Sequence, residues 1–388
     1  MDFSLTEEQE AIRDNVAALC AKFDDEYWHD RDRTGEFPND FHRAMADAGW
    51  LGITMPEEYG GANLGVTEAA IMMHEVAKSS GGMSAASAIH INIFGPHPIV
   101  VFGTDEQKQR WLPPLIKGDV KTSFGVTEPN SGLNTSALQT KAVKQGNHYI
   151  ANGQKMWTTT AQQADKIMLL ARTTPIEECK KPTDGLSLFY TDLNRDYCDV
   201  RLIEKMGRKC VDSNEVFIND LPIPEEDLVG EEGKGFHYLL HSLNPERVLI
   251  GAEAAGIGMN ALARATQYAK DREVFGRPIG QNQSIQHPLA ESWMELEAAM
   301  LMAMKGAYLY DSGQECGTFA NAAKYMGGEA GFKACQQAVL THGGVGYAKE
   351  FTVERLMREV MICRIAPISP QLILCFIAEK ALGLPKSY

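Results

Sequence analysis

An isolated carboxylate in a long apolar segment is the first feature of this sequence that could do chemistry. Glu246 stands near the start of the segment 242–275, and it is followed by Val248, Leu249 and Ile250. Apolar surroundings disfavour the ionised form of a carboxyl group and raise its pKa, as in many general bases. The alternative is an ordinary acidic residue in the first turn of a helix, where the helix dipole favours it. From these residues alone, the alternative is preferred.

A basic residue and a group of glycines could hold a phosphate-bearing ligand. Arg272 lies near the end of the same segment, and its planar guanidinium could pair with phosphate oxygens. Gly343, Gly344 and Gly346 would allow a ligand to approach the backbone closely. The alternatives are a solvated charge at a helix C-terminus, which the helix dipole favours, and a plain helix-ending turn.

The composition is that of an ordinary globular protein, and it argues against several classes of function. Hydrophobic residues make up 44% of the 388-residue chain and charged residues 23%. A net charge of −14 argues against nucleic-acid and anionic-membrane partners, which require clustered Lys and Arg. No apolar run predicts a membrane-spanning helix, so no membrane insertion is expected. The acidic N-terminus lacks the features of a targeting segment, and a cytoplasmic location is expected.

The cysteines and histidines do not predict a metal site. The eight cysteines are scattered without a CxxC pair, so reduced thiols are expected. His90, His97 and His342 have no Cys or carboxylate partner at a useful spacing, and core or loop positions are expected for them. The methionines at 294, 300, 302 and 304 have helical spacing and predict a core helix.

Helical periodicity at both ends of the chain flanks a β-rich middle part. An N-terminal α-helical domain is predicted for residues 1–121, a middle β-sheet domain for 122–230 and a C-terminal α-helical bundle domain for 231–388. The order has no βαβ alternation and no GxGxxG motif, which argues against a Rossmann domain. The predicted C-terminal helices cover about 235–272, 283–312, 317–341, 351–363 and 370–382.

The middle part predicts a sheet of short strands. Its clearest turn signal is Asn152-Gly153, which predicts a hairpin between strands 148–151 and 154–157. The first strand is predicted at 123–127, and residues 221–224 are predicted to lead out of the sheet. The predicted fold class is therefore α+β, with a β-barrel-like sheet domain between an N-terminal helical domain and a C-terminal four-helix bundle.

Several motifs resemble those of the acyl-CoA dehydrogenase family. They are Phe124-Gly125-Val126-Thr127-Glu128-Pro129, Lys155-Met156-Trp157-Thr158-Thr159, Asp271–Gly276 and His342–Tyr347. They occur in the order and spacing of the family, and the match covers essentially the whole chain. The resemblance implies a homotetrameric FAD enzyme of fatty-acid β-oxidation that converts an acyl-CoA to the trans-2-enoyl-CoA. It also implies an electron-transferring flavoprotein as the electron acceptor.

The resemblance implies a flavin site made of two sets of residues. The set that faces the flavin ring comprises Phe124, Val126, Thr127, Trp157 and Thr159. The set that holds the FAD of a neighbouring subunit comprises Arg272, Phe275, Gln283, Ser369 and Gln371. Gly343 and Gly344 would let the backbone approach a cofactor closely.

The position of the catalytic base also follows from the resemblance. Most members carry a Glu in a Tyr-Glu-Gly-Thr stretch, which aligns here with 366–369, and Pro367 can neither accept a proton nor donate an N–H. The isovaleryl-CoA and long-chain members instead place the Glu immediately before an Arg on the long helix, where Glu246 and Arg247 stand. Glu246 is therefore expected to abstract the α-proton. Asn244 and Arg247 are expected to contact the substrate.

Three departures from the family pattern keep other functions open. Leu133, Leu340 and Pro367 stand where the family usually has polar residues, which motivates a flavin-free acyl-CoA-binding protein as an alternative. The fold would also suit an acyl-CoA oxidase or an enoyl-CoA reductase. Oxidases usually have longer chains, so a dehydrogenase is preferred. The length and branching of the acyl chain stay open.

Overall fold

A computed structural model gives the structure of residues 3–387, and its first part is helical. Helix α1 begins after Thr6, which exchanges hydrogen bonds with Gln9 in a capping box. Helix α2 was not predicted, because its ten residues are mostly charged and show no apolar periodicity. The helices before the sheet are α1 (Glu7–Cys20), α2 (Asp25–Thr34), α3 (Asn39–Asp47), α4 (Val66–Lys78), α5 (Gly82–Phe94), α6 (His97–Phe102) and α7 (Asp105–Ile116).

The middle part forms one eight-stranded sheet in the order β6-β7-β3-β2-β4-β5-β8, with β1 parallel to β4. Its inner face is a hydrophobic core in which the rings of Tyr149 and Phe189 lie 5.0 Å apart. The predicted middle sheet domain is therefore confirmed. The strands are β1 (Thr122–Gly125), β2 (Lys141–Gln145), β3 (His148–Thr159), β4 (Lys166–Arg172), β5 (Leu186–Asp192), β6 (Cys198–Leu202), β7 (Ser213–Pro224) and β8 (Leu228–Val229).

The hairpin predicted at Asn152-Gly153 is wrong. Strand β3 continues through these residues, and Gly153 pairs with Ile218 of β7. The turn lies instead at Gly146-Asn147, between β2 and β3, where Gly146 has a φ of 62°. Gly153 serves a different purpose, because a Cβ there would lie only 2.3 Å from Oγ1 of Thr140. A register shift next to Gly153 marks the same irregularity.

Residues 221–224 also stay in the sheet, contrary to the prediction. Leu221 and Ile223 are buried, whereas Pro222 and Pro224 are exposed. This alternation continues strand β7 along β3, because the buried side chains anchor one face of the strand.

The C-terminal part is a helical bundle built around α8. Every predicted helix of this part is confirmed to within two residues. A Cβ on Gly327 would lie 2.4 Å from the carbonyl oxygen of Gly251, so glycine lets α10 pack directly on α8. Helix α8 also packs against α4 and α5 and so joins the two helical parts. The remaining elements are α8 (Gly235–Asp271), β9 (Glu273–Val274), β10 (Arg277–Pro278), α9 (Gln283–Asp311), α10 (Gly317–His342), α11 (Val353–Ile365) and α12 (Pro370–Lys380).

The expectation about membrane-spanning segments needs a correction. The helical segment Gly82–Phe102 is long and apolar enough to cross a membrane by length and composition. The bent pair α11 and α12 would pass the same test as a single broken span. However, 72% of the apolar window in Gly82–Phe102 is buried inside the protein, as is usual for a core helix.

Candidate active site

Glu246 lies on α8 with a carboxyl group that has no hydrogen bond or ion pair to any residue among 3–387. Part of the residue remains open to solvent. Crowding by protein atoms nevertheless raises the pKa of its carboxyl to about 7, against the opposing effect of His90 and Arg247. A carboxylate in this state is poised to accept a proton near neutral pH.

The two segments predicted to face the flavin ring meet in the sheet. The amide of Met156 on β3 donates a hydrogen bond of 2.8 Å to the carbonyl oxygen of Thr127, which follows β1. The buried Lys155 ammonium donates to the carbonyl of Val126 at 3.2 Å and to Glu128 at 2.8 Å. This ion pair was not predicted, although Lys155 and Glu128 both belong to the predicted flavin motifs. It fastens one predicted flavin segment to the other.

Trp157 presents its side chain on the surface next to this junction. It is 53% exposed and has a left-handed backbone, with a φ of 61°, which is strained for a non-glycine residue. Thr158 beside it has a buried hydroxyl without a hydrogen-bond partner in the described part of the chain. Thr158 and Thr159 again pair regularly with β7, opposite Asn214 and Ser213. A large exposed aromatic ring held in a strained position fits the binding of a flat cofactor.

A chain of aromatic contacts connects the sheet with the helix that carries Glu246. The ring of Phe124 lies 5.3 Å from that of Phe94, and Phe94 lies 4.8 Å from the ring of His90. His90 in turn is close enough to Glu246 to act on its charge. The predicted flavin-ring residues and the predicted base therefore belong to one region, between β1, α5 and α8.

The two predicted substrate contacts are next to the base. Arg247 donates a hydrogen bond of 2.8 Å from Nη1 to Oδ1 of Asn244. Its Nε atom is buried without a partner among the described residues. Burial lowers the pKa of Arg247, and the nearby Glu246 opposes this change. The guanidinium therefore retains an unused donor close to Glu246.

The other predicted cofactor residues lie at the far end of the bundle or at its surface. Arg272 follows Glu246 by 26 positions on or next to α8, a distance of about 39 Å along the helix. The stacked rings of Tyr268 and His342, 4.3 Å apart, bring this end of α8 beside Gly343 and Gly344. A Cβ on either of these two glycines would meet no atom within 4 Å. Phe275 and Gln283 are exposed near Arg272.

The segment 366–369 is stabilised by hydrogen bonds from Lys324 to its backbone and to the end of α11. The buried Lys324 ammonium donates to the carbonyl oxygens of Arg364 at 3.0 Å and Ile368 at 2.7 Å. The hydroxyl of Ser369 accepts from the amide of Leu372 and so caps α12. Gln371 is exposed in the first turn of that helix.

Two of the histidines predicted to be isolated have side-chain partners on distant helices. Nδ1 of His90 lies 2.6 Å from Oε1 of Glu253, a residue 163 positions away. Nε2 of His97 lies 2.6 Å from the hydroxyl of Tyr310. Sequence spacing could not reveal either pair, because each forms only when distant helices pack together.

The methionine-rich helix is only partly a core element. Met294 is more than half exposed, whereas the methionines at 300, 302 and 304 are partly buried. The surface of α9 that carries Met294 has no partner among residues 3–387, so helical periodicity alone overestimated its burial.

Comparison with known proteins now adds to this geometry. Residues 6–119, 123–221 and 233–367 match the N-terminal, middle and C-terminal domains of acyl-CoA dehydrogenases. Acyl-CoA dehydrogenase FadE12 of Mycobacterium tuberculosis (strain H37Rv) is 37% identical over 402 aligned positions, which cover 100% of this chain and 99% of the relative. The chain is a member of the acyl-CoA dehydrogenase family.

Solved structures of related proteins have the same fold as this acyl-CoA dehydrogenase. Butyryl-CoA dehydrogenase from Megasphaera elsdenii superposes with a TM-score of 0.93 at 30% identity, covering 99% of this chain and 100% of that one. PigA with FAD and proline superposes with a TM-score of 0.94 at 25% identity, covering 99% and 100%. The enzyme is an oxidoreductase of acyl-CoA thioesters, and FAD is its cofactor.

Two of the three departures from the family pattern lie on the surface of this acyl-CoA dehydrogenase, whereas Pro367 is half-buried. Leu133 and Leu340 are both more than half exposed. Neither side chain fills the region of Trp157, Thr127 and Phe124. The residues present therefore fit FAD, since the exposed Trp157 and the open backbone at Gly343 and Gly344 leave room for it.

Proposed function

We propose that Glu246 removes the α-proton of an acyl-CoA thioester, which yields the trans-2-enoyl-CoA, and that an electron-transferring flavoprotein receives the electrons. The observation that carries this proposal is the partnerless carboxyl of Glu246, whose pKa burial raises to about 7. The α-proton of a thioester is weakly acidic, so its base must bind a proton more tightly than an ordinary carboxylate does. Glu246 meets this condition, because burial raises its pKa.

The residues around Glu246 would position the substrate and the cofactor. FAD, when bound, supplies the acceptor for the β-hydrogen, which leaves as hydride. Trp157, Thr159 and the segment 124–127 would hold the flavin ring on the sheet side, where the Lys155–Glu128 pair fixes their spacing. Glu246 would take the proton from the helix side. Asn244 and Arg247 would contact the substrate, using the donor that Arg247 leaves free.

The thioester oxygen needs hydrogen-bond donors while negative charge develops on it. Pro367 has no N–H, and the next amide in the chain is that of Ile368. The Ile368 amide donates to no backbone carbonyl in the described chain, while Lys324 holds the carbonyl of the same residue. We assign the Ile368 N–H to the thioester oxygen. A complex with this amide far from the thioester oxygen would rule the assignment out.

A homotetramer would bring the second set of cofactor residues into use. Arg272, Phe275 and Gln283 lie too far from Glu246 to hold the same FAD molecule, and all are exposed. They would hold the FAD of a neighbouring subunit together with Ser369 and Gln371. Gly343 and Gly344 would let that cofactor approach the backbone.

Two further features are proposed on similar grounds. The division into domains 1–121, 122–230 and 231–388 is supported by the change from helices to strands at Thr122 and back to helices at Gly235. A cytoplasmic location is supported by the cysteines, all eight of which are free thiols.

An anaerobic visible spectrum tests the proposed reaction. The purified holoenzyme should be yellow, and straight-chain or branched acyl-CoAs should bleach it by reducing the flavin. Glu246→Gln removes the proton acceptor and should slow bleaching by at least about a hundredfold, the usual contribution of a general base. Glu8→Gln, at an exposed carboxylate of α1, is the matched control and should bleach like the wild type.

Three other results of this experiment would contradict parts of the proposal. Bleaching that survives in Glu246→Gln would place the base elsewhere. A colourless protein that still binds acyl-CoA would replace the dehydrogenase by a binding protein. Bleaching without reduction of an added electron-transferring flavoprotein would contradict the proposed acceptor alone.

A further inference from the structure

A buried acid–base pair lies at the crossing of α5 and α8, and the proposed reaction does not use it. Nδ1 of His90 on α5 is 2.6 Å from Oε1 of Glu253 on α8. His90 is 7% exposed and Glu253 is fully buried. Burying such a pair is costly unless its remaining polar atoms also find partners.

The remaining polar atoms of this pair have no partners. Nε2 of His90 and Oε2 of Glu253 are both shielded from solvent, and neither makes a hydrogen bond within residues 3–387. Buried polar atoms in folded proteins are nearly always paired, so an unpaired one needs an explanation. A bound ligand that supplies the missing partner is such an explanation.

An arginine extends the polar cluster. Nη1 of Arg208 donates a hydrogen bond of 2.9 Å to the hydroxyl of Ser87, which precedes His90 by one turn of α5. In the described chain, Arg208 forms no ion pair with a carboxylate, and this is its one side-chain hydrogen bond. Since a guanidinium has five N–H donors, most of them remain available to an acceptor.

The cluster lies on the same side of α8 as the proposed base. Glu253 follows Glu246 by seven residues, which is two helical turns, or about 10 Å along the axis on one face. His90 also contacts Phe94, which packs on Phe124 at the predicted flavin segment. An acyl chain whose α-carbon faces Glu246 could therefore extend towards His90.

A nearby cavity differs from the cluster in one important respect. This cavity of about 100 Å³ is lined by Phe94, Leu249, His97, Tyr310 and other residues. His97 and Tyr310 in this cavity form a hydrogen bond of 2.6 Å with each other, so both already have a polar partner. The cavity therefore offers space for an apolar group, whereas the cluster calls for a polar one.

We propose that His90 and Glu253, with Ser87 and Arg208, bind an oxygen group at the distal end of the acyl chain. The substrate class would then be acyl-CoAs with a terminal hydroxyl or carboxylate rather than simple fatty acyl-CoAs. The free donors of Arg208 suit an acceptor oxygen, whereas Oε2 of Glu253 suits the O–H of a hydroxyl; a substrate carboxylate would be attracted by Arg208 and repelled by Glu253. This inference rests on the proposed function, since it assumes an acyl-CoA placed against Glu246.

A matched set of thioesters tests the inference. Pentanoyl-CoA, 5-hydroxypentanoyl-CoA and glutaryl-CoA have the same chain length and differ at the distal carbon. The wild-type holoenzyme should be bleached by at least one oxygenated thioester with a kcat/KM at least about tenfold above that of pentanoyl-CoA, because sites built for hydrogen bonding reject apolar analogues. Comparison of the hydroxyl and carboxylate compounds then identifies the oxygen group.

Substitutions in the cluster should reduce this preference specifically. His90→Phe and the milder Arg208→Lys should each bring the ratio between oxygenated and plain substrate towards one. Tyr310→Phe, in the adjoining cavity, removes one hydroxyl and should leave the ratio unchanged. A purely structural role for the cluster would lower the rates with all three thioesters equally and leave the ratio as it is. That result, or a change of the ratio in Tyr310→Phe alone, would overturn the inference.

Binding to the Glu246→Gln holoenzyme separates this inference from the proposed reaction. The Kd of glutaryl-CoA or 5-hydroxypentanoyl-CoA should be at least about tenfold below that of pentanoyl-CoA in this variant, in which chemistry is slow. Equal Kd values would overturn the inference even if wild-type bleaching is intact. A preserved preference without any wild-type bleaching would overturn the proposed reaction instead.

Discussion

At the scale of single residues, the clearest prediction concerns how the reaction rate depends on the protonation of Glu246. Its pKa is raised from 4.5 to about 7 by burial, and only the ionised form can accept a proton. We expect kcat/KM for flavin reduction to rise about tenfold per pH unit below pH 7 and to level off above it, since kcat/KM reports the free enzyme. Stopped-flow reduction across this pH range measures the profile. An inflection near the ordinary glutamate pKa would contradict the role of burial.

The same shift also predicts how stability depends on pH. Between about pH 4.5 and 7 the folded state binds more protons at Glu246 than the unfolded state does, so its stability falls as the pH rises. The Glu246→Gln variant has no titrating group at this position, so its stability does not fall in this way. Its unfolding free energy should be up to about 3 kcal/mol higher than that of the wild type at pH 8, and this difference should be absent at pH 4. Melting of both holoenzymes at fixed protein and FAD concentrations makes the comparison.

At the scale of elements, the position of β3 predicts how much stability is lost when Gly153 or Gly146 is replaced by alanine. Gly153 lies inside the strand, and a Cβ there would lie 2.7 Å from the Cα of Thr140. We expect Gly153→Ala to lower the unfolding free energy by about 3 kcal/mol, the upper range for overpacking, since backbone atoms cannot move aside easily. Thermal melting of the variant and the wild type measures the effect.

Gly146 at the actual turn provides the matched control. It has a φ of 62° and open space around the missing Cβ. Alanine there should cost about 1 kcal/mol, because only the left-handed backbone disfavours it. A greater cost at Gly146 than at Gly153 would contradict the continuous strand.

At the scale of the whole molecule, the exposed face of α9 predicts assembly. Met294, Leu301 and Tyr308 recur every seven residues along this helix, and each is more than half exposed. A stripe of large apolar side chains at this spacing marks a contact surface. We expect light scattering to give the mass of four chains for the wild type. Leu301→Glu should shift the protein to smaller species, because a charge would be buried in the interface.

FAD content distinguishes this assembly from a simple surface effect. If Arg272 and its neighbours hold the cofactor of an adjacent subunit, Leu301→Glu should lose FAD as it dissociates. Lys22→Glu, at an exposed position of the N-terminal part, should keep both the mass and the FAD. A wild-type monomer that retains full FAD would contradict the shared site.

The helical framework could be predicted from the sequence because its signals are local. Helices α8 to α12 follow from apolar spacing over many turns, and the motifs around Thr127, Trp157 and Arg272 follow from their order along the chain. The sheet was less predictable. Asn152-Gly153 and Gly146-Asn147 are both acceptable turn signals, and only pairing of β3 with the distant β7 selects between them.

The candidate site, like the fold, could be predicted only in part from the sequence. Glu246 could be proposed as the base from the sequence only through the family resemblance, because some members place their Glu immediately before an arginine on the long helix. The pairing of His90 with Glu253 depends on the crossing of α5 and α8, which brings together residues 163 positions apart. Such a contact arises from packing of apolar helix faces, and nothing in the local sequence of either residue encodes it. The sequence by itself therefore determined most of the helices and, through the family resemblance, pointed to Glu246 as the base, whereas the tertiary structure decided the course of β3 and which polar groups surround Glu246.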